Sequence, residues 1–252
     1  MIFLAMLVFI FLHMSMFWLF YRLLKNPSVV DVGWASVLAT TSFLYLVMGN
    51  QNMVSFVAGL LVVIWAVRLG GYLWFSRISQ GHVDKRYTKL SEDWKISKDV
   101  GFYLNFQLQG LLTFFISLSF YFISQRETFL LYDVAGLMMI LLGLMGETLA
   151  DYQLQRFKKC EHQGVCDRGL WRYTRHPNYF FDWLTWLGFS LLAMPASWGI
   201  LAVISPLTLY VIMVYVTGPM TEMGSLQSRG EAYAEYQCQT PMFFPGLRRN
   251  SK

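Results

Sequence analysis

The sequence predicts an all-α, polytopic membrane protein with about seven transmembrane helices. Of its 252 residues, 56% are hydrophobic and only 14% are charged, whereas a soluble domain carries about a quarter charged residues. The hydrophobic residues form runs of about 20, the length that a helix needs to cross the hydrocarbon core. The cations fall mainly between alternate runs, as in membrane proteins with positively charged cytoplasmic loops. We therefore expect a single integral membrane domain comprising residues 1–252.

Seven apolar runs are expected to span the bilayer. They comprise residues 2–24, 29–48, 54–75, 102–124, 132–153, 178–195 and 198–217. The first run has no positively charged segment before it, and Arg22 and Lys25 follow it. A retained first span is therefore expected rather than a cleaved signal peptide.

The distribution of cations predicts the orientation. Most of them lie after the first, third and fifth runs or in the tail, and they include Arg22, Lys25, Arg77, Lys85, Arg86, Lys89, Lys95, Lys98, Arg156, Lys158, Lys159, Arg168, Arg172, Arg175, Arg229, Arg248, Arg249 and Lys252. The connections 49–52, 124–128 and 195–197 contain one cation, Arg126. An external N-terminus and a cytoplasmic C-terminus follow. The net charge of +5 thus belongs to membrane loops, and no nucleic-acid partner is expected.

Two carboxylates lie in or near the fifth run. Glu147 and Asp151 are four residues apart and so share a helix face. Carboxylates in a span are costly and indicate function; the alternative is a helix end that simply emerges into water at Asp151. Lys158, seven residues after Asp151, is either a cofactor ligand or a membrane anchor.

The segment WRYTRHPNYF, residues 171–180, gathers cations and hydrogen-bonding groups between two apolar runs. Pro177 is suited to the first turn of the sixth helix, and the free amides of a helix N-terminus attract anions. Arg172 and Arg175 carry guanidinium groups suited to phosphate, and the amide of Asn178 suits a carboxamide. The segment predicts an anionic-cofactor site; the alternative is a basic interfacial loop.

The third run places an arginine, Arg68, within the membrane. Trp65, Arg68 and Tyr72 recur at a spacing of three and four residues, so they share one helix face. Asp31, near the start of the second run, is a candidate counter-ion. This set is either catalytic or a structural ion pair.

Three cysteines and the tail complete the polar residues. Cys160, Cys166 and Cys238 are expected as reduced thiols on the cytoplasmic side. Cys160, His162 and Cys166 have no convincing fourth ligand for a tetrahedral zinc ion, and no metal site is expected. The tail reads as an interfacial amphipathic helix with Glu222, Tyr233 and Tyr236 as its polar groups.

Five segments together resemble one family, the bacterial relatives of steroid 5α-reductase, also called the DUF1295 or 3-oxo-5α-steroid 4-dehydrogenase-like family. The segments are DKRYTKL, NFQLQGLL, ADYQLQRFKK, GLWRYTRHPNYFFDWLTWLGF and GEAYAEYQCQTPMFFPG. The resemblance covers about residues 28–247. It implies a seven-helix reductase that binds NADPH from the cytoplasmic side of a bacterial inner membrane.

The resemblance also implies roles for individual residues. Asn178, with Tyr173 nearby, and Asp151, with Lys158, correspond to positions that hold the cofactor. Arg68 and Tyr72 correspond to an Arg and a Tyr in the third helix of the steroid enzymes. The complete candidate set is Asp31, Trp65 and Arg68 for catalysis and Tyr72, Glu147, Asp151, Lys158, Arg172, Tyr173, Arg175, His176, Asn178, Tyr179 and Tyr236 for the cofactor.

The chain departs from that family at the substrate end. An ungapped comparison puts Asp31 and Trp65 where the steroid enzymes use a Glu and a Tyr to grip the substrate carbonyl, and Glu147 where they have a cofactor-contacting Asn. An indole N–H donates a hydrogen bond but is not a useful acid. The reaction is thus expected to be similar, with a lipophilic substrate that need not be a steroid.

The expected function is NADPH-dependent reduction of a carbon–carbon double bond conjugated to a carbonyl, in a lipophilic substrate. The RHPNY segment with Glu222 also resembles isoprenylcysteine and phospholipid methyltransferases, so a methyltransferase using S-adenosylmethionine is the first alternative. A non-enzymatic lipid-binding protein is the second. The expected partners are the lipid bilayer and the substrate, with no obligate protein partner.

Overall fold

The computed structural model describes residues 1–160 and 164–248; His162, Arg249 and Lys252 therefore lie outside the described residues. In the described part, all regular structure is helical. Ten α-helices occur there: α1 Ile2–Leu24, α2 Val29–Met48, α3 Met53–Leu73, α4 Lys85–Leu90, α5 Lys98–Ser124, α6 Asp133–Cys160, α7 Pro177–Ala193, α8 Ile204–Val211, α9 Gly218–Arg229 and α10 Glu231–Gln239. Two π-helical segments, Trp74–Ile78 and Ile212–Thr217, continue α3 and α8.

The helical membrane fold is confirmed. Six segments of the described chain are long and apolar enough to cross a membrane: Ile2–Leu24, Val29–Met48, Met53–Ile78, Lys98–Ser124, Asp133–Cys160 and Gly199–Arg229. The remaining predicted span, 178–195, is α7, which has 17 residues and so lies at the short end of the spanning range of about 17–25. It begins at Pro177, as predicted.

Two boundaries differ from the prediction because helix propensity continues past the apolar residues. The segment 154–177 was expected to be a loop, but α6 continues to Cys160. In its last turns, Gln155, Arg156, Lys158 and Lys159 are good helix formers although they are polar. The tail was expected to form one helix, but α9 and α10 meet at Gly230, where φ is 55°, a conformation that glycine adopts without strain.

The chain forms two compact units. Unit 1 comprises Met1–Asp133 with Phe189–Ser205, and unit 2 comprises Val134–Gly188 with the chain from Pro206 onward. In unit 1, α2 packs against α1, α3 and α5.

A buried ion pair fixes one loop of unit 1. Arg126 pairs with Asp133, and both side chains are buried. Arg126 Nη1 also donates to the carbonyl of Leu192 at 2.8 Å, and the amide of Asn52 donates to the Arg126 carbonyl at 2.6 Å. The single cation of the connections 49–52, 124–128 and 195–197 is thus neutralised by a neighbouring carboxylate.

In unit 2, glycines allow α6 to approach α7 closely. A β-carbon at Gly146 would lie 2.3 Å from the ring of Phe181, and one at Gly143 would lie 2.2 Å from Thr185 Oγ1. Both distances are below van der Waals contact, so these positions require glycine. The close approach holds α6, with its two carboxylates, beside the first turns of α7.

Candidate functional site

The start of α7 lies beside a buried carboxylate of α6. Asn178 Nδ2 donates to Asp151 Oδ1 at 3.3 Å, while Asn178 Oδ1 accepts from the backbone N–H of Tyr179 at 3.1 Å. Asp151 is 5% exposed and Glu147 is 3% exposed. Asp151 therefore does not lie where a helix emerges into water, and its burial favours a specific role.

Arg175 joins the segment before α7 to α9 and α10. Its Nε donates to Glu222 Oε1 at 2.6 Å and its Nη2 to Glu222 Oε2 at 3.1 Å. Its Nη1 donates to the carbonyls of Gln237, at 2.9 Å, and of Thr240, at 2.7 Å. Four of its five N–H groups are thus engaged within the protein, which is a structural arrangement rather than an open phosphate fork.

His176 completes this cluster. Its Nε2 lies 3.1 Å from Glu222 Oε1, and its ring stacks on that of Tyr179 with centroids 4.9 Å apart and planes at 7°. The side chain of His176 is buried. The RHPNY segment and Glu222 are therefore brought together, although 46 positions separate His176 from Glu222.

The tail after α10 is bound along the same segment. Thr174 Oγ1 lies 3.0 Å from the carbonyl oxygen of Met242 and 2.9 Å from that of Phe243, and its single O–H is shared between them. The backbone N–H of Arg175 donates to the Pro241 carbonyl and that of Gly246 to the Tyr173 carbonyl, both at 2.9 Å. The tail therefore forms part of the wall around the start of α7.

Tyr236 supports this arrangement from α10. It is buried, and its hydroxyl donates to the Trp171 carbonyl. Burial raises the pKa of Tyr236, and burial with the charge of Glu222 raises the pKa of Tyr233 to about 12. Both phenols are thus neutral hydrogen-bond donors at physiological pH.

Three of the predicted cofactor residues face solvent in unit 2. Arg172, Tyr173 and Lys158 are exposed. Their side chains are accessible to a soluble anion.

In unit 1, Asp31 belongs to a network of two carboxylates and two guanidiniums. Arg77 Nη1 contacts Asp31 and lies 3.1 Å from Asp84 Oδ2. Arg86 Nη2 lies 3.1 Å from Asp31 Oδ2 and 2.8 Å from Asp84 Oδ2. Tyr87 donates its hydroxyl to Asp31 Oδ1 at 2.5 Å. In these contacts the Asp31 carboxylate only accepts hydrogen bonds.

The network shifts the pKa values of Asp84 and Tyr87, which lie outside the membrane-spanning segments. Burial alone would raise the pKa of Asp84, but the hydrogen bonds and charge of Arg86, with the charge of Arg77, lower it to about 2. Burial and the negative charge of Asp31 raise the pKa of Tyr87.

The third-helix residues lie on α3 in unit 1. Trp65 is buried, while Arg68 and Tyr72 are half-buried. Asp31 was expected as the counter-ion of Arg68; the ion pairs described for it are with Arg77 and Arg86. Among residues 1–160 and 164–248, no group of three or more potential metal ligands occurs.

Sequence reasoning missed most of the ionic partners. It did not pair Glu222 with Arg175. It also did not place Arg77, Asp84 and Arg86 beside Asp31. A general signal was available, since an ionisable group close to an apolar run must find a partner. The choice of partner requires the fold.

The comparisons with known proteins agree with this description at the level of the family. No curated protein and no solved structure matches the chain. The sequence model of a protein family of unknown function, DUF1295, matches residues 17–240, so the predicted relationship to that family is confirmed. By this match over most of its length, the chain belongs to the DUF1295 family.

Proposed function

We propose that the protein is an NADPH-dependent membrane reductase acting on a carbon–carbon double bond conjugated to a carbonyl in a lipophilic substrate. The observation that carries the proposal is the contact between Asn178, at the start of α7, and the buried carboxylate of Asp151, at 3.3 Å. The resemblance of these two residues to cofactor-contacting positions of steroid 5α-reductase relatives supports the same assignment.

The chemistry of the residues in unit 2 fits a dinucleotide. The first amides of α7 and the exposed guanidinium of Arg172 suit phosphate groups. The Asn178 amide suits a carboxamide, and the Asp151 carboxylate accepts hydrogen bonds from hydroxyl groups such as those of a ribose. Lys158, which is exposed, supplies a further cation. Bound NADPH would supply the hydride for the reaction.

The candidate residues for the substrate carbonyl lie in unit 1. We assign the polarising hydrogen bonds to Trp65 and Arg68, because indole and guanidinium groups are donors and donors stabilise a developing enolate. Asp31 accepts from Arg77, Arg86 and Tyr87, so we assign it an orienting role rather than that of the acid.

The substrate is proposed to enter from the bilayer, because the helices are apolar on their exposed sides. A lipophilic enone should then be reduced with a higher kcat/KM than a water-soluble enone that has the same reactive group. Equal values for the two substrates would contradict entry from the bilayer.

A methyltransferase is the second candidate, and the contacts of Arg175 and His176 with Glu222 favour it. These residues are the ones that resemble isoprenylcysteine and phospholipid methyltransferases. In such an enzyme the cluster would lie beside S-adenosylmethionine.

A binding titration distinguishes the candidates. The detergent-purified protein is titrated with NADPH, NADH and S-adenosylmethionine, and binding is followed by calorimetry. Micromolar binding of NADPH is expected, as for a working cofactor. Binding of S-adenosylmethionine without NADPH would replace the reductase by the methyltransferase, and binding of neither would favour a non-enzymatic lipid-binding protein.

A further inference from the structure

Two amide side chains lie one helical turn apart inside the apolar span of α5. Gln109 Nε2 donates to Asn105 Oδ1 at 2.8 Å. Asn105 is about two turns, or roughly 10 Å, from the start of α5 at Lys98. A polar side chain at this depth must find its hydrogen-bond partners in the protein or in a ligand, because the lipid offers none.

Gln109 connects Asn105 to the network around Asp31. Tyr87 donates its hydroxyl to Asp31, and Gln109 forms a side-chain hydrogen bond with Tyr87. The Tyr87 hydroxyl gives its single hydrogen to Asp31, so it accepts an N–H from Gln109. Gln109 Nε2 carries two N–H groups and can therefore donate to both Tyr87 and Asn105. The Asn105 amide is thereby oriented with its oxygen towards Gln109.

This orientation leaves the amide nitrogen of Asn105 as a donor. In the described part of the chain, Asn105 takes part in side-chain hydrogen bonds only as an acceptor. The buried, unpaired polar atoms of residues 1–160 and 164–248 do not include Asn105 Nδ2, and the residue is half-buried. The amide nitrogen is therefore accessible to a ligand.

Asn105 lies on the side of α5 that faces the protein. Residues eleven positions apart lie on nearly the same side of an α-helix. Ile116 on the side of Asn105 and Phe120 on the side of Gln109 are both fully buried. Gln107 points the other way, since it donates to a residue of α1. The accessible N–H groups are therefore not simply directed at lipid.

An accessible amide N–H in this place suits a carbonyl oxygen. A ligand with an uncharged acceptor can enter from the bilayer, whereas a charged one would be costly to bring into the span. The donors proposed for the substrate, Trp65 and Arg68, lie on α3, which packs against α5 in unit 1. Asn105 adds a neutral donor to the same unit.

We propose that Asn105 Nδ2 binds the carbonyl oxygen of the lipophilic substrate, and that Asp31 orients this amide through Tyr87 and Gln109. The hydrogen bond stabilises negative charge that develops on the carbonyl oxygen. Asp31 is then a positioning residue, which acts through the two side chains between it and Asn105. The identification of the carbonyl as that of a reducible enone rests on the proposed function.

Binding of two uncharged probes tests the hydrogen bond without any reaction. One probe is an aliphatic enone with a long alkyl chain, and the other is the conjugated diene in which a methylene group replaces the carbonyl oxygen. The Kd of each is measured by calorimetry with the detergent-purified, full-length protein. Asn105→Leu should raise the Kd of the enone relative to that of the diene about 2- to 13-fold, the net value of one hydrogen bond. Partition of the probes into micelles is the same for both proteins and cancels in this ratio.

Gln107→Leu is the matched control, because it changes an amide of the same span that donates to α1. It should leave the enone-to-diene ratio of Kd values at the wild-type value. A wild-type ratio in Asn105→Leu would overturn the proposal. A change of equal size in Gln107→Leu would also overturn it, because the effect would then not be specific to Asn105.

Tyr87→Phe tests the orienting chain. This variant removes the hydroxyl between Asp31 and Gln109. It should shift the enone-to-diene ratio in the same direction as Asn105→Leu and leave the Kd of the diene unchanged, which a general loss of packing would not do. An unchanged ratio would show that Asp31 does not orient Asn105.

Infrared spectroscopy of the wild-type protein gives a measurement that does not depend on the folding of a variant. The enone carries an isotopic label in its carbonyl group, so that its stretching band is separated from the amide bands of the protein. The band should lie at lower frequency in the bound enone than in hydrocarbon solution, because a donated hydrogen bond weakens the C=O bond. A bound carbonyl with the hydrocarbon frequency, or no measurable binding of the enone, would overturn the proposal.

The inference and the proposed function fail separately. Binding of NADPH, with an enone-to-diene ratio that Asn105→Leu does not change, would overturn the carbonyl contact and leave the reductase intact. A preference for the enone that depends on Asn105, in a protein that does not bind NADPH, would leave the carbonyl contact intact and overturn the reductase.

Discussion

Glu222 receives two N–H groups of Arg175 through its two carboxylate oxygens, although 47 positions separate the residues. The same carboxylate accepts from Gln237 Nε2 at 2.7 Å. One acidic side chain of α9 therefore connects the segment before α7 with α10. The arrangement of unit 2 at the start of α7 depends on this pair.

Replacing Glu222 by Gln should destabilise the protein. The guanidinium of Arg175 would lose its counter-ion in a largely buried place, and breaking a buried ion pair costs about 3–5 kcal/mol. The free energy of unfolding, measured in detergent with a chemical denaturant, should fall by an amount in this range. Glu231→Gln changes an exposed acid of α10 and should have little effect; equal losses in the two variants would argue against a central role for Glu222.

Acidification should remove the stabilisation contributed by Asp84. The pKa of this carboxyl is lowered on folding from its ordinary value of 3.8 to about 2. Its contribution is therefore complete above pH 3.8 and is lost as the pH falls through about 2. A lowering of this size corresponds to about 2 kcal/mol.

A comparison of the wild-type protein with the Asp84→Asn variant measures this contribution. The difference between their free energies of unfolding should be largest above pH 4 and should shrink towards pH 2. A difference that stays constant over this range would show that ionisation of Asp84 does not stabilise the fold.

The spans could be predicted from the sequence because they depend on local composition. The predicted runs 2–24 and 29–48 coincide with α1 and α2, and α7 begins at Pro177 as predicted. The predicted ends of α6 and of the tail helix were wrong. The observed ends depend on helix propensity and on the conformation of Gly230, and hydropathy does not report either of them.

The ionic partners could not be predicted in the same way. Asp31 pairs with Arg77 and Arg86, which are 46 and 55 positions away. Nothing in the spacing of the sequence selects these partners, because the choice depends on how the 77–90 segment folds back to the start of α2. The Asn178–Asp151 contact, across 27 positions, was anticipated only as two separate candidates.

The orientation remains a prediction that depends on the distribution of Lys and Arg along the sequence. The connections 49–52, 124–128 and 195–197 contain one cation, Arg126, as expected for the external side. A cytoplasmic reporter fused after the C-terminus should be active, and one fused into the 49–52 connection should be inactive. The opposite pattern would reverse the orientation.

Arg172 and Arg175 should differ in their effect on cofactor binding. Arg172 is exposed, and a phosphate contact from such a residue is screened by salt. Arg172→Ala should therefore weaken NADPH binding at low salt and much less at high salt, with little change in the free energy of unfolding. The main effect of Arg175→Ala should instead be a lower free energy of unfolding, because the variant removes the partner of Glu222. If the two variants have the same salt dependence and stability, this distinction is incorrect.

Asn178→Ala should lower the affinity for NADPH. The variant removes the donor to the buried Asp151 carboxylate, as well as the amide assigned to the cofactor. The cofactor carboxamide would lose its partner in the protein. A buried polar group left unpaired costs about 1–3 kcal/mol, which corresponds to a Kd about 5- to 150-fold higher. Calorimetric titration measures the change, and Asn105→Ala, which alters a side chain of α5 that accepts from Gln109, provides a control with an unchanged Kd. Because the backbone N–H groups of α7 remain, the variant should still fold and retain residual binding. An unaltered Kd for Asn178→Ala would remove the observation on which the reductase assignment depends.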